Sequence, residues 1–454
     1  MKSRYHVVGI GGMGMSAIAR LLLARGDAVS GSDRGSWPLA AALAADGAAV
    51  ATAFDAKNVR GAGVVIRSSA YGESNPEVAA ARHLGIPVWK REDAWRDLAR
   101  GKRVVAVAGT HGKSTTTALA WTALRAGGLD PSLICGAVLR DLGTNAYAGS
   151  GDVLVIEADE YDRAFLALDP EVGLVTNVDH DHVDLFPTRQ DVEDAFADFA
   201  DRVVPGGSLV ACADDAGAAR LLARELPGRT VSAYGTAARA TYRLVDVAQG
   251  AEGVAFHLAG PFAGTVAVRL RLAGTHNALN AAGALAAADA LGVPASASAI
   301  AFASFSGTER RLEELGAEGG VTVIDDYAHH PTEIRASIEA VRPRTIGRLL
   351  VVFQPHTPSR LRAFFDDFAA ALAGADLGIV AETFSSAREP PDERAGARAL
   401  ADRAGALYVS DAEAAAQALA ERVRPGDIVL VLGAGDIRPA GERLLELLRS
   451  RTAV

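Results

Sequence analysis

Hydrophobic positions along the chain fall into short β-branched runs that alternate with longer alanine-rich and leucine-rich stretches of helical period. Between residues 5 and 100 the runs are HVVGI, DAVSGSD, GVVIRSS and IPVW. Short apolar runs bounded by glycine and polar residues read as strands, and the stretches between them read as crossover helices. This region therefore predicts βαβ units in a small parallel sheet. The charged segment KREDAWRDLARGKR closes it, and GKRVVAVAGTHGKSTTTALAWTAL opens a new strand, loop and helix. A second block continues through VLVIEAD, VGLVTNV and GSLVACADD, after which alternation and turn residues from Tyr234 to Leu272 predict antiparallel strands. It ends with the helix NALNAAGALAAADAL and a short amphipathic segment reaching FASFSGTERRLE. A third βαβ series has strands in VTVIDDY, RLLVVFQPH, DLGIVAE, ALYVSD and DIVLVLGAGD. The expectation is an α/β protein of three domains, residues 1–101, 102–312 and 313–454.

Composition agrees with that division, since 454 residues with 49% hydrophobic side chains exceed what one core holds. A formal net charge of -9, with no lysine-rich or arginine-rich block, argues against binding a nucleic-acid backbone. No apolar run approaches the roughly 20 residues of a membrane span. The start, MKSRYHVVGIGG, lacks the apolar core and cleavage site of a signal peptide, so a cytoplasmic location is expected. Cys135 and Cys212 are far apart and form no CxxC pair, which favours two buried thiols over a disulfide or a zinc site.

Two glycine-rich loops carry the first chemistry. Gly9, Gly11 and Gly14 fit G-x-G-x-x-G between a strand and the helix SAIARLLLARG, with Asp33 ending the next strand. Glycines there allow a tight turn and let backbone N–H groups approach a pyrophosphate at a helix N-terminus. The loop reads a diphosphate, so a nicotinamide dinucleotide, another diphosphate or a bare turn all remain open. The second loop, GTHGKS from Gly109 to Ser114, departs from G-x-x-x-x-G-K-[ST] because Val107 stands at the first glycine position. Its amides can still curl around phosphate, Lys113 can reach the β and γ oxygens, and Ser114 or Thr115 can offer a hydroxyl to Mg²⁺. Lys113 is the last lysine of a chain that afterwards uses only arginine, which points to a compact charge at this position.

Carboxylates and imidazoles gather at strand ends. IEADEYD supplies Glu157, Asp159, Glu160 and Asp162, and TNVDHDHVD supplies Asp179, His180, Asp181, His182 and Asp184. Ligands of open parallel sheets collect at such edges, which makes these groups candidate Mg²⁺ ligands beside the second loop. In the third block DDYAHHPTEI brings Asp325, Asp326, His329 and His330 to one strand end, and FQPHTPSR brings Gln354, His356 and Arg360 to another.

Together and in this order these motifs, with GTHNALNAAGALA, FSGTERRLE and LGAGD, resemble those of the Mur ligases, ATP-dependent enzymes that attach amino acids to the peptidoglycan precursor. The GIGGMGMS loop and the GTNA segment, Gly143 to Ala146, are similar to those of the member that joins L-alanine to the carboxylate of UDP-N-acetylmuramate. The resemblance implies a Rossmann-like N-terminal domain for the UDP substrate, a central P-loop ATPase domain, and a C-terminal Rossmann-like domain for the amino acid. ATP and Mg²⁺ would be its cofactors, and the chain would be a monomer or homodimer. Gly109, Thr110, His111, Gly112, Lys113, Ser114 and Thr115 would hold the ATP phosphates, with Asn277, Asn280, Arg310 and Asp325 beside the nucleotide. Ser114, Glu157 and His182 would bind metal, and Lys113, Glu157, His182 and Arg311 would form the catalytic set. Gly11, Gly12, Met13, Gly14, Asp33, Ser68 and Ser69 would meet the UDP substrate, while His330, His356 and Arg360 would sit near the amino acid or the acceptor carboxylate. Some family members carry a carbamylated lysine at the second metal; this chain has no lysine after Lys113. EADEYD and RRLE stand where EADESD and RRFE are commoner, which keeps a second reading open: a recycling ligase that returns the L-alanyl-γ-D-glutamyl-meso-diaminopimelate tripeptide to UDP-N-acetylmuramate. The first loop alone would also suit a nicotinamide-dependent dehydrogenase.

Overall fold

In the computed structural model, which describes residues 3–384, 389 and 396–452, the apolar runs form three sheets. The first is parallel and five-stranded, in spatial order Ala49–Ala51, Ala28–Ser32, Arg4–Val8, Val64–Arg67 and Val88–Trp89. The run HVVGI stops being a strand at Val8, because Gly9 takes a φ of 80° and turns the chain into the helix Met13–Ala24.

The second sheet has ten strands. Its centre is parallel: Arg103–Ala108 lies between Val172–Val175 and Val153–Glu157, with Ser208–Cys212 beyond Val172–Val175. These valine-rich strands are buried almost throughout because helices cover both faces, the usual reason parallel strands read as continuous apolar runs. The helices Lys113–Ala126 and Thr275–Asp289 are rich in alanine and threonine and pack closely against each other. The turn-rich stretch is antiparallel as expected, with Tyr242–Gly250, Gly253–Ala259 and Thr265–Leu270 forming one edge. A hairpin of Ser132–Leu139 and Thr144–Tyr147 forms the other edge, at a place where the pattern gave no strand.

The third sheet has six strands in the order Glu313–Glu318, Val321–Asp326, Ile428–Leu432, Leu349–Phe353, Leu377–Ala381 and Leu407–Val409, parallel except for the first. Apolar packing divides the molecule unevenly. One continuous core joins the first two sheets, whereas the third has its own cores, one on each face. The third sheet meets the second mainly through polar contacts, which are described below. Among the described residues no helix is long and apolar enough to cross a membrane.

Candidate active site

The second glycine loop follows the central strand Arg103–Ala108, and two of its glycines are required by close packing. Gly109 has a φ of 136°, and a Cβ there would collide with Thr176 Oγ1. Gly112 has a φ of 78°, and a Cβ there would lie 2.7 Å from Asn280 Oδ1. The loop is braced by the neighbouring strand end: Thr176 Oγ1 donates to His111 O at 2.6 Å, and His111 N donates to Asn177 Oδ1 at 2.7 Å. Thr110 Oγ1 donates to Asp179 O and accepts from Asp179 N.

Lys113 Nζ curls back over the loop, donating to Gly109 O at 2.6 Å and to Glu160 Oε2 at 2.8 Å. Burial alone would lower its pKa, but the charges of Glu160 and Asp159 outweigh that and raise it, so the ammonium stays charged. Beside it, Ser114 Oγ donates to Glu157 Oε1 at 3.1 Å, and the other Glu157 oxygen accepts from Gly136 N at 2.6 Å. His182 has a left-handed φ of 50° and brings Nε2 to 3.7 Å from Glu160 Oε1. The metal candidates thus fall into two neighbouring groups. Ser114 and Glu157 form one; His182 joins Glu160 and Asp159 in the other, with ligand atoms within 4.8 Å of one another. Asp159 is half-buried, and desolvation would raise its pKa, but Arg91 at 2.8 Å and Lys113 lower it to about 2.

A cavity of about 280 Å³ opens beside the loop between the second and third sheets. His111, Gly112, Thr115, Asn277 and Asn280 line it from one side, and Arg311, Asp326 and Glu333 from the other. Arg311 Nη1 lies 3.7 Å from Glu333 Oε1. Arg310 and Asp325 do not line this cavity. They pair with each other at 3.2 Å against the third sheet, where Arg310 also donates to Gly433 O. The link Arg310–Leu312 is strained, since Arg310 and Leu312 both hold positive φ, at 57° and 49°.

Polar contacts across the two units surround the cavity. The Arg360 guanidinium grips Asp181 through Nε at 2.8 Å and Nη2 at 3.2 Å, and both side chains are buried. Thr332 Oγ1 donates to Asp179 Oδ2 at 2.9 Å. The His111 ring lies between Asp179 and Glu333, at 3.5 and 3.4 Å. Burial would lower the His111 pKa, but those two carboxylates raise it to about 9. His330 is buried next to His111, and burial together with that neighbour pushes it down to about 4. His356 stacks on Phe384 and accepts Arg360 at its carbonyl. His330 thus stands against His111 at the seam and Arg360 links His356 to Asp181, but none of the three is among the residues lining the cavity.

The first glycine loop is built differently. Gly11 N donates to the buried Asp33 carboxylate at 2.9 Å, and Tyr71 Oη approaches its other oxygen at 3.4 Å. A Cβ on Gly9 would lie 2.7 Å from the Tyr71 ring, and one on Gly11 would lie 2.7 Å from Trp37. Ser68 N donates to Val8 O beside the loop, and Ser69 lies exposed just beyond it. Asn145, from the GTNA segment, ties the loop to the second sheet by donating to Met13 O at 2.5 Å and Ser16 Oγ at 3.2 Å. Gly12 caps the helix that follows, and Gly14 lies against Arg91, which pairs with Asp159 near Lys113.

Several residues at the site carried little signal in the sequence. Glu333 sits in the helix Pro331–Val341 as an ordinary acidic residue of a first turn. Asn177, Thr332 and Gly136 act through an amide side chain, a hydroxyl and a backbone N–H that no spacing rule marks. Trp37 and Tyr71 are recognisable only once the first loop is folded against them.

Comparison with known proteins agrees with this arrangement. Family models match the chain as the catalytic domain of the Mur ligase family over residues 4–103, the Mur ligase middle domain over 107–288, and the Mur ligase glutamate ligase domain over 310–435. The chain is 43% identical to the UDP-N-acetylmuramate–L-alanine ligase of Paenarthrobacter aurescens, covering 98% of this chain and 97% of that protein. It superposes on the crystal structure of the UDP-N-acetylmuramate–alanine ligase of Thermotoga maritima with a TM-score of 0.83 at 27% identity, covering 99% and 100% of the two chains. Its fold is also that of a murein peptide ligase of Psychrobacter arcticus, with a TM-score of 0.73 at 21% identity over 98% and 99%. With two phosphate-type loops, carboxylates at the central strand ends and three matched domains in one order, the chain belongs to the Mur ligase family.

Proposed function

We propose that the chain joins L-alanine to the carboxylate of UDP-N-acetylmuramate with hydrolysis of ATP to ADP and phosphate, a step of peptidoglycan precursor synthesis. The observation that carries this reading is end-to-end likeness to a UDP-N-acetylmuramate–L-alanine ligase at 43% identity, together with Lys113, Ser114 and Glu157 gathered at the second loop. Likeness to the murein peptide ligase is weaker in sequence and in superposition, so the recycling reading is not favoured. A dehydrogenase would leave the second loop without a purpose. We also propose the division into units at 1–101, 102–312 and 313–454.

A carboxylate resists amide formation because its oxygen is a poor leaving group and its charge repels nucleophiles. Phosphorylation by ATP removes both obstacles: a carboxylate oxygen attacks the γ-phosphorus, ADP leaves, and the acyl phosphate is then attacked by the neutral amine of L-alanine, releasing phosphate. The second loop fits the ATP phosphates, since the positive φ of Gly109 and Gly112 curls its backbone between strand and helix N-terminus and Lys113 holds a charged ammonium over the loop. The cavity lined by Asn277 and Asn280 accepts the rest of the nucleotide. Ser114 and Glu157, with His182 nearby, present the hydroxyl, carboxylate and imidazole that would hold Mg²⁺, which when bound neutralises charge on the phosphoryl oxygens. Lys113 and Arg311 stabilise the same charge from the two sides of the cleft. Asp33 fixes the backbone of the first loop, so that its amides can receive the uridine diphosphate group. His330, His356 and Arg360 position the amine, and the polar seam between the second and third units closes the cleft and keeps water from the acyl phosphate.

Phosphate release measured with ATP and Mg²⁺ tests the reading. It should require both UDP-N-acetylmuramate and L-alanine. Turnover that ignores the UDP-sugar, or that prefers the tripeptide to L-alanine, would refute it.

A further inference from the structure

Three side chains from separate segments converge beside the phosphate loop: His111 within the loop, Asp179 beyond the strand Val172–Val175, and His330 at the N-cap of the helix Pro331–Val341. Each offers a ligand atom within 4.8 Å of the others. His111 Nε2 stands 3.5 Å and His330 Nδ1 4.0 Å from the same oxygen, Asp179 Oδ2. Bonds of about 2.0–2.1 Å in tetrahedral geometry set neighbouring donors about 3.3 Å apart. The two distances to Asp179 exceed that separation by only about 0.2 and 0.7 Å.

The surroundings are also those of a metal site. Nε2 of His111, the nitrogen that faces Asp179, is buried without a hydrogen-bond partner, an unfavourable state for an imidazole nitrogen. Nδ1 of His330 accepts only a long bond, 3.3 Å, from Thr332 N, which ligation would replace. Behind the cluster, His111 Nδ1 faces Glu333 Oε1 at 3.4 Å, the carboxylate backing that metal-bound imidazoles take, and Thr332 Oγ1 donates to Asp179 at 2.9 Å. Two imidazoles and one carboxylate select a borderline transition ion over magnesium, which prefers oxygen alone. The other three-residue cluster, around Glu160, already holds a cation in the Lys113 ammonium.

We propose that His111, Asp179 and His330 form a binding site for a divalent transition metal of the zinc class, separate from the magnesium position at Ser114 and Glu157. The ion fastens the phosphate loop to the helix Pro331–Val341 and so holds the second and third units together. This assignment does not depend on which amino acid the ligase uses.

Cobalt(II) is the probe, added to the full chain in excess Mg²⁺. One equivalent should give a visible absorption band far stronger than that of octahedral aqueous Co²⁺, and Zn²⁺ should displace it. In His330→Gln and His111→Gln the affinity should fall by at least the 10–100-fold that losing even an outer partner of a metal site costs. In His182→Gln the band should persist. Should either imidazole variant fail to fold, as judged by circular dichroism, Asp179→Asn reads the same site from the middle domain. Zn²⁺ should also raise the melting temperature of the unaltered chain, and raise it less in the variants. No band in the unaltered chain, a band indifferent to all three substitutions, or a band lost in His182→Gln would each overturn the proposal.

Discussion

The two glycine loops share a backbone plan and differ in everything around it. Each follows a central parallel strand and opens a helix, and each has a glycine at positive φ. The first is flanked by the aromatic rings of Tyr71 and Trp37, and its one buried charge, Asp33, faces its own backbone. The second is ringed by Glu157, Asp159, Glu160 and Asp179, with the half-buried Lys113 among them. Strand-loop-helix geometry makes a place for phosphate, but the neighbouring strand ends decide whether that phosphate is only held or made to react. The first loop is suited to anchor a diphosphate that stays intact. The second is suited to a phosphate that is transferred.

Removing the reactive cation should break that contrast most severely. Lys113→Met should lower kcat by about 10³-fold, the scale of a cation that stabilises a transferring phosphoryl group. Calorimetric binding of UDP-N-acetylmuramate should be unchanged, because Lys113 touches only the second loop and Glu160. A parallel loss of UDP-sugar binding would mean that the loops are not separate in function. Next in size, Glu157→Gln should cost about 10²-fold in kcat/KM, comparable with loss of one preorganised electrostatic group. Raising Mg²⁺ should recover part of it, as read from a Mg²⁺ titration of phosphate release. An unshifted Mg²⁺ midpoint would remove Glu157 from the metal site.

The same contrast explains what could be read from the sequence. Gly109 to Ser114 and the strand ends IEADEYD and TNVDHDHVD were legible because phosphate and metal chemistry demand particular residue types at short spacing. The parallel centres of the three sheets were legible because buried strands are apolar throughout. The hairpin Ser132–Leu139 with Thr144–Tyr147 was not, since its glycines and short second strand weaken any period-two pattern. Nor was the division of labour between adjacent arginines, in which Arg311 faces the cavity while Arg310 pairs with Asp325: one residue of shift along a strained link turns a side chain to another wall, and no spacing rule reports that. Contacts between units, such as Arg360 with Asp181, join segments far apart in the chain and leave no local signature.

On the holding loop the expected effects are smaller. Asp33→Asn weakens a charge-assisted bond to Gly11 N without emptying the position. KM for UDP-N-acetylmuramate should rise about tenfold, the low end for a hydrogen bond to a charged group, with KM for ATP unchanged. Steady-state kinetics varying each substrate separates the two. A shift in the ATP constant instead would show that the first loop senses the second nucleotide.

The finest distinction is in proton binding. The second loop carries His111, whose pKa is raised from 6.5 to about 9 because Asp179 and Glu333 outweigh its burial. A group with a raised folded pKa contributes stability that is complete below its unfolded pKa and is lost as pH rises through the folded value. The His111 contribution is therefore fully present below about 6.5 and gone above about 9. His111→Gln, which carries no charge at any pH, should be less stable than the unaltered chain at pH 6 by on the order of 3 kcal/mol, since each pKa unit is worth about 1.4 kcal/mol. The two should converge by pH 10. Thermal melts in buffer containing a chelator, so that no metal occupies the ring, make the comparison. A constant difference at both ends of the range would mean that His111 acts through packing alone. A difference confined to acid pH would mean that the reactive loop draws part of its closure from a proton, a device for which the first loop has no counterpart among its glycines.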